Sequence, residues 1–95
     1  MERNLNFYVA NLGAEVERIF YWRDKKDFKE VEFARARAES ILDKIAASRE
    51  VSGREKEFEL LRESIFDIAS TKQKFNINVS QMRAYFTPFA LRAMQ

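Results

Sequence analysis

The chain reads as an all-α protein, a small antiparallel bundle of three long helices followed by a short, proline-broken C-terminal helix. Three observations predict this. Apolar residues recur at steps of three and four through three long segments. Glycine occurs twice and proline once in 95 residues, too rarely for the turns of a β-sandwich or barrel. A composition of 46% apolar and 34% charged residues supplies a core and a solvated surface for one domain over residues 1–95, and the length falls short of two. With 14% aromatic residues and a net charge of only +2, the composition does not suit a disordered chain. A chain of this size buries only about two-thirds of the surface it exposes when unfolded, so a partner subunit would add stability.

The first helix is predicted over residues 4 to about 23, with Leu5, Val9, Leu12, Val16 and Ile19 on one narrow stripe and Phe20 at its margin. Gly13 lies inside it and costs about 1 kcal/mol relative to alanine unless a neighbour packs close there. Residues 24–27 form the connection. Asp27 is the expected N-cap of a second helix, with Glu30 three residues on completing a capping-box-like pair. That helix runs to about Ala47 on a stripe of Val31, Ala34, Ala38, Ile41, Leu42 and Ile45, whose alanines allow close approach of a neighbouring helix.

Residues 48–53 are the clearest break. Ser52 or Gly53 then starts a third helix on Phe58, Leu61, Ile65, Ile68 and Ala69. Past Thr71 the pattern changes. Phe75, Ile77 and Val79 alternate with asparagines, which suits a short extended connector. Asn78 or Ser80 is the expected cap of a fourth helix carrying Met82, Phe86, Phe89 and Ala93. Pro88 inside that pattern predicts a break, with Thr87 as N-cap and Pro88 at the first position of a second short helix.

The absences exclude whole classes of chemistry. The chain has no cysteine and no histidine. Disulfides, Cys/His zinc sites and Ser-His or Cys-His nucleophiles are therefore ruled out, as is the side chain that most often moves protons near neutral pH. The Arg-and-His chemistry of small helical nucleases has no residue to act through. There is no Gly-rich phosphate loop. The carboxylate pairs Glu39/Asp43 and Glu59/Glu63 each share a helix face, but they project away from the core stripes, and a carboxylate-bridged di-metal bundle also needs histidines. The expectation is a protein without cofactor or metal that is not an enzyme. The opening residues Met1-Glu2-Arg3-Asn4 carry no signal-peptide pattern, and no apolar run approaches the roughly 20 residues that span a bilayer. The default is a cytoplasmic protein that does not enter a membrane.

Two features suggest partners. With Leu5 set at 0°, the core stripe of the first helix covers roughly 320° to 60°, yet Phe7, Ala10, Ala14 and Tyr21 gather near roughly 140° to 200° as a second apolar ribbon. Phe33 and Leu60 also point away from their own stripes. Either the first helix is covered on both sides by its own chain, or these residues meet another subunit. The second reading makes the protein a self-associating helical interaction protein, a dimer, with Phe7, Ala10, Ala14, Tyr21 and Phe33 as its interface. Large aromatics are the residues that anchor interfaces when they are not in a core.

Charge is the other feature. Residues 50–71 hold six acidic and three basic residues, whereas residues 72–95 hold Lys72, Lys74, Arg83 and Arg92 and no acid. A nucleic-acid-binding module would use Arg23, Lys25, Lys26, Lys29, Lys72 and Lys74, with Trp22 and Tyr85 available for stacking. The alternative is internal complementarity, the basic tail lying against the acidic third helix. A helix-turn-helix from Ile68-Ala69 to the fourth helix has the outline, but its connector is too long for the usual three- or four-residue turn. No mechanism attaches to the local stretches 11–15 and 85–89.

Overall fold

The four helices form because each apolar stripe needs a covering layer, and the connections decide which layer covers which. A computed structural model describes residues 4–93. Helix α1 spans Leu5–Asp24, α2 Phe28–Ala46, α3 Glu55–Ala69 and α4 Val79–Ala93, with a 3₁₀ turn at Arg49–Val51 before α3. Short links make α1 and α2 antiparallel, and likewise α2 and α3. Helix α4 returns along α1, which becomes the central element, touched by all three others.

The stripes read from the sequence are the core. Leu5, Val9, Leu12, Val16 and Ile19 of α1 are buried against Val31, Ala34, Ala38, Leu42 and Ile45 of α2. Phe58, Leu61, Ile65 and Ile68 close one side, and Met82, Phe86 and Phe89 close the other. Ala34 and Ala38 have no accessible surface, which matches their use as small residues where two helices meet.

The caps follow ordinary helix chemistry. The Asn4 side chain accepts from the Phe7 amide at 2.9 Å, and Glu50, from the 3₁₀ turn, accepts from the Leu5 amide at 3.2 Å, so two orphan donors of α1 are satisfied. Asp27 caps α2 by accepting from the Glu30 amide. At the C-terminus of α1 the Lys26 amide bonds the Arg23 carbonyl and the Asp27 amide the Trp22 carbonyl, both at 2.9 Å. This is a Schellman closure with Lys26 in the left-handed region at φ 58°, where glycine is usual.

Two expectations at element ends are corrected. Neither Ser52 nor Gly53 caps α3. Gly53 takes a positive φ of 84°, and Arg54 occupies the cap position with no side-chain cap bond. Helix α4 also does not break at Pro88. It runs unbroken from Val79 to Ala93 with the proline inside. Pro88 and Ala84, four residues earlier, both lie on the solvent face, so the carbonyl that loses its donor faces water. The Thr87 hydroxyl donates to the Arg83 carbonyl at 2.7 Å rather than capping a new helix. Asn78 is the cap of α4: its side chain accepts from the Gln81 amide at 2.9 Å, while the Gln81 side chain accepts from the Asn78 amide at 2.8 Å.

Three polar contacts hold the frame. Asp67, buried at the end of α3, accepts from the amides of Lys74 at 2.6 Å and Phe75 at 3.0 Å, which turns the chain into the connector. Arg23 donates to the Ile68 carbonyl at 2.7 Å and ties the same corner to α1. Glu15, buried between α1 and α2, accepts from Arg18 on its own helix and from Arg37 of α2 at 2.7 Å.

Gly13 has the close neighbour that its position required. A Cβ there would stand 2.9 Å from Cγ and 3.0 Å from Cβ of Phe86, the stiff base of that side chain. Gly13→Ala should therefore lower stability by about 1–3 kcal/mol despite alanine's better helix propensity, read as a lower midpoint in thermal unfolding. Asp67→Ala leaves two amides without an acceptor and should cost about 1–3 kcal/mol, with faster hydrogen exchange confined at first to Lys74 and Phe75.

Candidate functional site

Helix α1 has three covered sides and one open one. Towards α4 lie Gly13 and Phe20, towards α2 lie Glu15 and Trp22, and the core stripe lies between them. The remaining strip carries Phe7, Ala14 and Tyr21, seven residues apart, so that they stack along one line of the helix. The structure divides the second apolar ribbon. Ala10 and Ala14 line a groove of about 170 Å³ with Gly13 of the same helix and Phe86, Thr87 and Ala90 of α4, so the chain covers part of the ribbon itself. Phe7 is half-buried, edge-on to Tyr8. Tyr21 is 54% exposed, edge-on to Trp22, with the Lys25 ammonium 5.1 Å from its ring centre.

Phe33 does not join that line. It stands on α2, 48% exposed. It is one turn before Arg37, whose guanidinium reaches Glu15 across the α1–α2 seam. Leu60 is more exposed still, on α3.

The basic residues read from two distant stretches come together. Arg23, Lys25, Lys26 and Lys29 surround the α1–α2 turn, and Lys72 and Lys74 belong to the α3–α4 connector at the same end of the bundle. Their roles differ. Arg23 faces inward on the Ile68 carbonyl, and the Gln73 amide, turned with its oxygen towards the guanidinium, accepts from it as well. Arg23, Lys26 and Arg83 line an open cleft of about 740 Å³ that Glu17 and Asp24 share. Arg83 is committed there too, with bonds of 2.5 and 3.0 Å to Glu17.

Trp22 and Tyr85 are not free stacking surfaces. Trp22 packs against the core, and Tyr85 sits at the opposite end of the molecule, half-buried. The expected pairing of the basic tail with the acidic third helix also does not form: among the described residues, neither Lys72 nor Lys74 makes an ion pair, and Arg83 turns to α1. Asp67 meets the backbone of Lys74 rather than its ammonium. What was missed is aromatic. Phe66 and Phe75 line a depression with Lys72 and Lys74, and Phe28 is exposed at the start of α2. The break in helical pattern around Phe75 was the available signal, since an apolar ring in a polar connector has no stripe of its own to join.

Of the carboxylate pairs, Glu39 bonds Arg35 and Asp43 bonds Arg62, while Glu59 and Glu63 remain on the surface. Among the described residues no group of three acidic side chains is placed to hold a metal ion. No helix there is long and apolar enough to cross a membrane.

One cluster has perturbed proton affinities. Arg54 makes a two-point bond to Glu57 at 2.7 and 3.0 Å and lies over the rings of Phe58 and Phe89. The Tyr85 hydroxyl donates to Glu57 at 2.9 Å. The Arg54 bond holds the Glu57 carboxyl below its ordinary range, with the Tyr85 bond assisting. Burial, reinforced by Glu57, pushes the Tyr85 phenol above its own. The two affinities are driven away from neutrality in opposite directions, so the pair is a poor proton-transfer couple and a good lock between α3 and α4.

Comparison with protein-family models, with curated proteins and with solved structures finds no match for the chain.

The lock sets a pH window. The folded Tyr85 phenol binds its proton more tightly than the unfolded one, so its contribution is complete below about pH 10 and declines as pH rises beyond it. Glu57 acts in the opposite sense. Its contribution is present above its ordinary value of 4.5 and is lost as pH falls through the lower folded value. Urea midpoints measured across pH should fall on both flanks. Tyr85→Phe should flatten the alkaline flank, and Glu57→Gln the acid one.

Proposed function

We propose that the protein is a non-enzymatic helical interaction protein whose α1 outer strip pairs with the same strip of a second copy. The observation that supports this reading is the repeat of Phe7, Ala14 and Tyr21 along the one side of α1 that no other helix covers, with Tyr21 left more than half exposed. An aromatic stands at each end and an alanine in the middle. That order is unchanged when the helix is reversed, so two copies fit antiparallel about a two-fold axis at Ala14. Phe7 of one chain then meets Tyr21 of the other, and the alanines let the helices approach.

Charge supports the antiparallel choice. Arg18 and Lys25 flank the strip on one side. A parallel pair would set each beside its own copy, whereas the antiparallel pair sets Arg18 beside Asn11. Phe33 widens the contact at its edge. The buried acids Glu15 and Asp67 are both engaged in structural bonds.

Light scattering after size-exclusion chromatography should give twice the chain mass of 11.3 kDa at high micromolar concentration. Tyr21→Glu, at a position 54% exposed, should weaken the pair at least about a hundredfold by placing an unpaired carboxylate in the contact, with circular dichroism checking that loss of the Trp22 edge contact leaves the fold intact. The chain has no cysteine, so Ala14→Cys tests the register directly: mild oxidation should link two chains through position 14. A monomer at every concentration sinks the reading. A dimer that Tyr21→Glu leaves intact, or that position 14 fails to cross-link, moves the contact off this strip.

A further inference from the structure

From the connector end of the bundle we infer a second surface, one that binds single-stranded nucleic acid through lysines and exposed phenylalanine rings. Two segments far apart in sequence supply its lysines. The α1–α2 turn brings Lys25, Lys26 and Lys29, and the connector held by Asp67 brings Lys72 and Lys74. Among the described residues none of these five lysines is in an ion pair, while Arg18, Arg35, Arg37, Arg54, Arg62 and Arg83 all are. Those six arginines are committed to acids of the fold, whereas the ammonium groups of these five lysines are not. Asp24, Asp27 and Glu30 share the end, and Asp27 is occupied in capping α2.

The rings are placed to match. Phe66 and Phe75 line one depression of about 360 Å³ with Lys72 and Lys74, and Glu63 closes an edge of it. Phe28 lies two turns before Arg35 on the same side of α2, and Arg35 lies over the Phe66 ring at 5.4 Å. Phe28 therefore stands on the α3 flank at this end, 47% exposed, and Phe75 of the connector is 42% exposed.

The chemistry selects the ligand. Protein contact surfaces are depleted in lysine, which argues against a folded protein partner here. Lysine is a point charge that neutralises phosphate without reading base edges, so the site should be tolerant of sequence. A phenylalanine ring needs the open face of a base, which a single strand offers and a duplex keeps stacked. Among the described residues no helix projects from this end to enter a groove.

The probe is a fluorescein-labelled oligothymidine of about 16 nucleotides, titrated with the full chain and read by anisotropy. Binding should be detectable at about 50 mM salt and should weaken about 50-fold by about 200 mM, as expected when about four phosphates are neutralised. Lys72→Glu combined with Lys74→Glu should abolish it. Lys44→Glu combined with Lys56→Glu, at the opposite end, should leave it within about twofold of the unaltered chain. Phe75→Ala should weaken it about tenfold with the salt slope unchanged, since a ring carries no counterion. All these side chains are exposed, and circular dichroism of each variant checks that the fold is intact. The inference is overturned by no binding at about 50 mM salt, by equal loss from the opposite-end variant, or by a neutral Phe75→Ala. It is also overturned if a duplex, heparin or anionic lipid vesicles compete as well as the unlabelled strand.

Discussion

The seating of α4 on α1 depends on the contact between Gly13 and Phe86. A side chain at position 13 would occupy the space in which the base of the Phe86 ring lies, so only glycine lets α4 settle onto α1 at this depth. Without that approach α4 would have no apolar partner, because its buried residues Met82, Phe86 and Phe89 are arranged to meet α1. The helix-propensity cost of one glycine, about 1 kcal/mol, is offset by the burial of a phenylalanine, which contributes on the order of 1.5–3 kcal/mol.

That contact also decides what is left open. Once α4 occupies one side of α1 and α2 the other, the outer strip is all that remains, and it holds Ala14 and Tyr21 in the open. A helix covered on three sides leaves a strip narrow enough for one more helix and too narrow for a layer.

The fold was legible where a residue's role depends on its immediate neighbours in sequence. The stripes of α1, α2 and α3, and the caps at Asp27 and Asn78, are local facts of spacing and side-chain chemistry, and they stand as read. Pro88 was misread because a local rule was applied where the environment relaxes it: the carbonyl of Ala84 that the proline deprives of a donor faces solvent and can bond water. The start of α3 was misread for the opposite reason. Ser52 is a good cap by type, but the left-handed turn at Gly53 carries the chain past it before the helix begins. Asp67 was passed over as one acid among six, since only the folded connector brings two backbone amides to it. The candidate surfaces were half legible. Periodicity alone locates the α1 strip, whereas the convergence of Lys25 with Lys74, and of both with Phe75, depends on where α3 ends.

The division between arginine and lysine connects these observations. A guanidinium offers several donors in a fixed plane, and here it bridges: Arg37 to Glu15 across α1–α2, Arg62 to Asp43 across α2–α3, Arg83 to Glu17 across α1–α4 and Arg54 to Glu57 beneath Tyr85. Each bridge neutralises an acid where two elements meet, so the net charge of the frame is close to balanced. Among the described residues the positive charge left over is carried by the lysines with Arg23, Arg49 and Arg92, and the chain's net +2 understates how unevenly it is spread. At the connector end the lysines sit with aromatic rings that the core does not take in. A surplus of mobile ammonium groups beside exposed rings contributes nothing to folding, since like charges gathered at one end repel. The end of the bundle that gathers it is set by the same two bonds, Asp67 to the connector and Arg23 to α3, that close the fold.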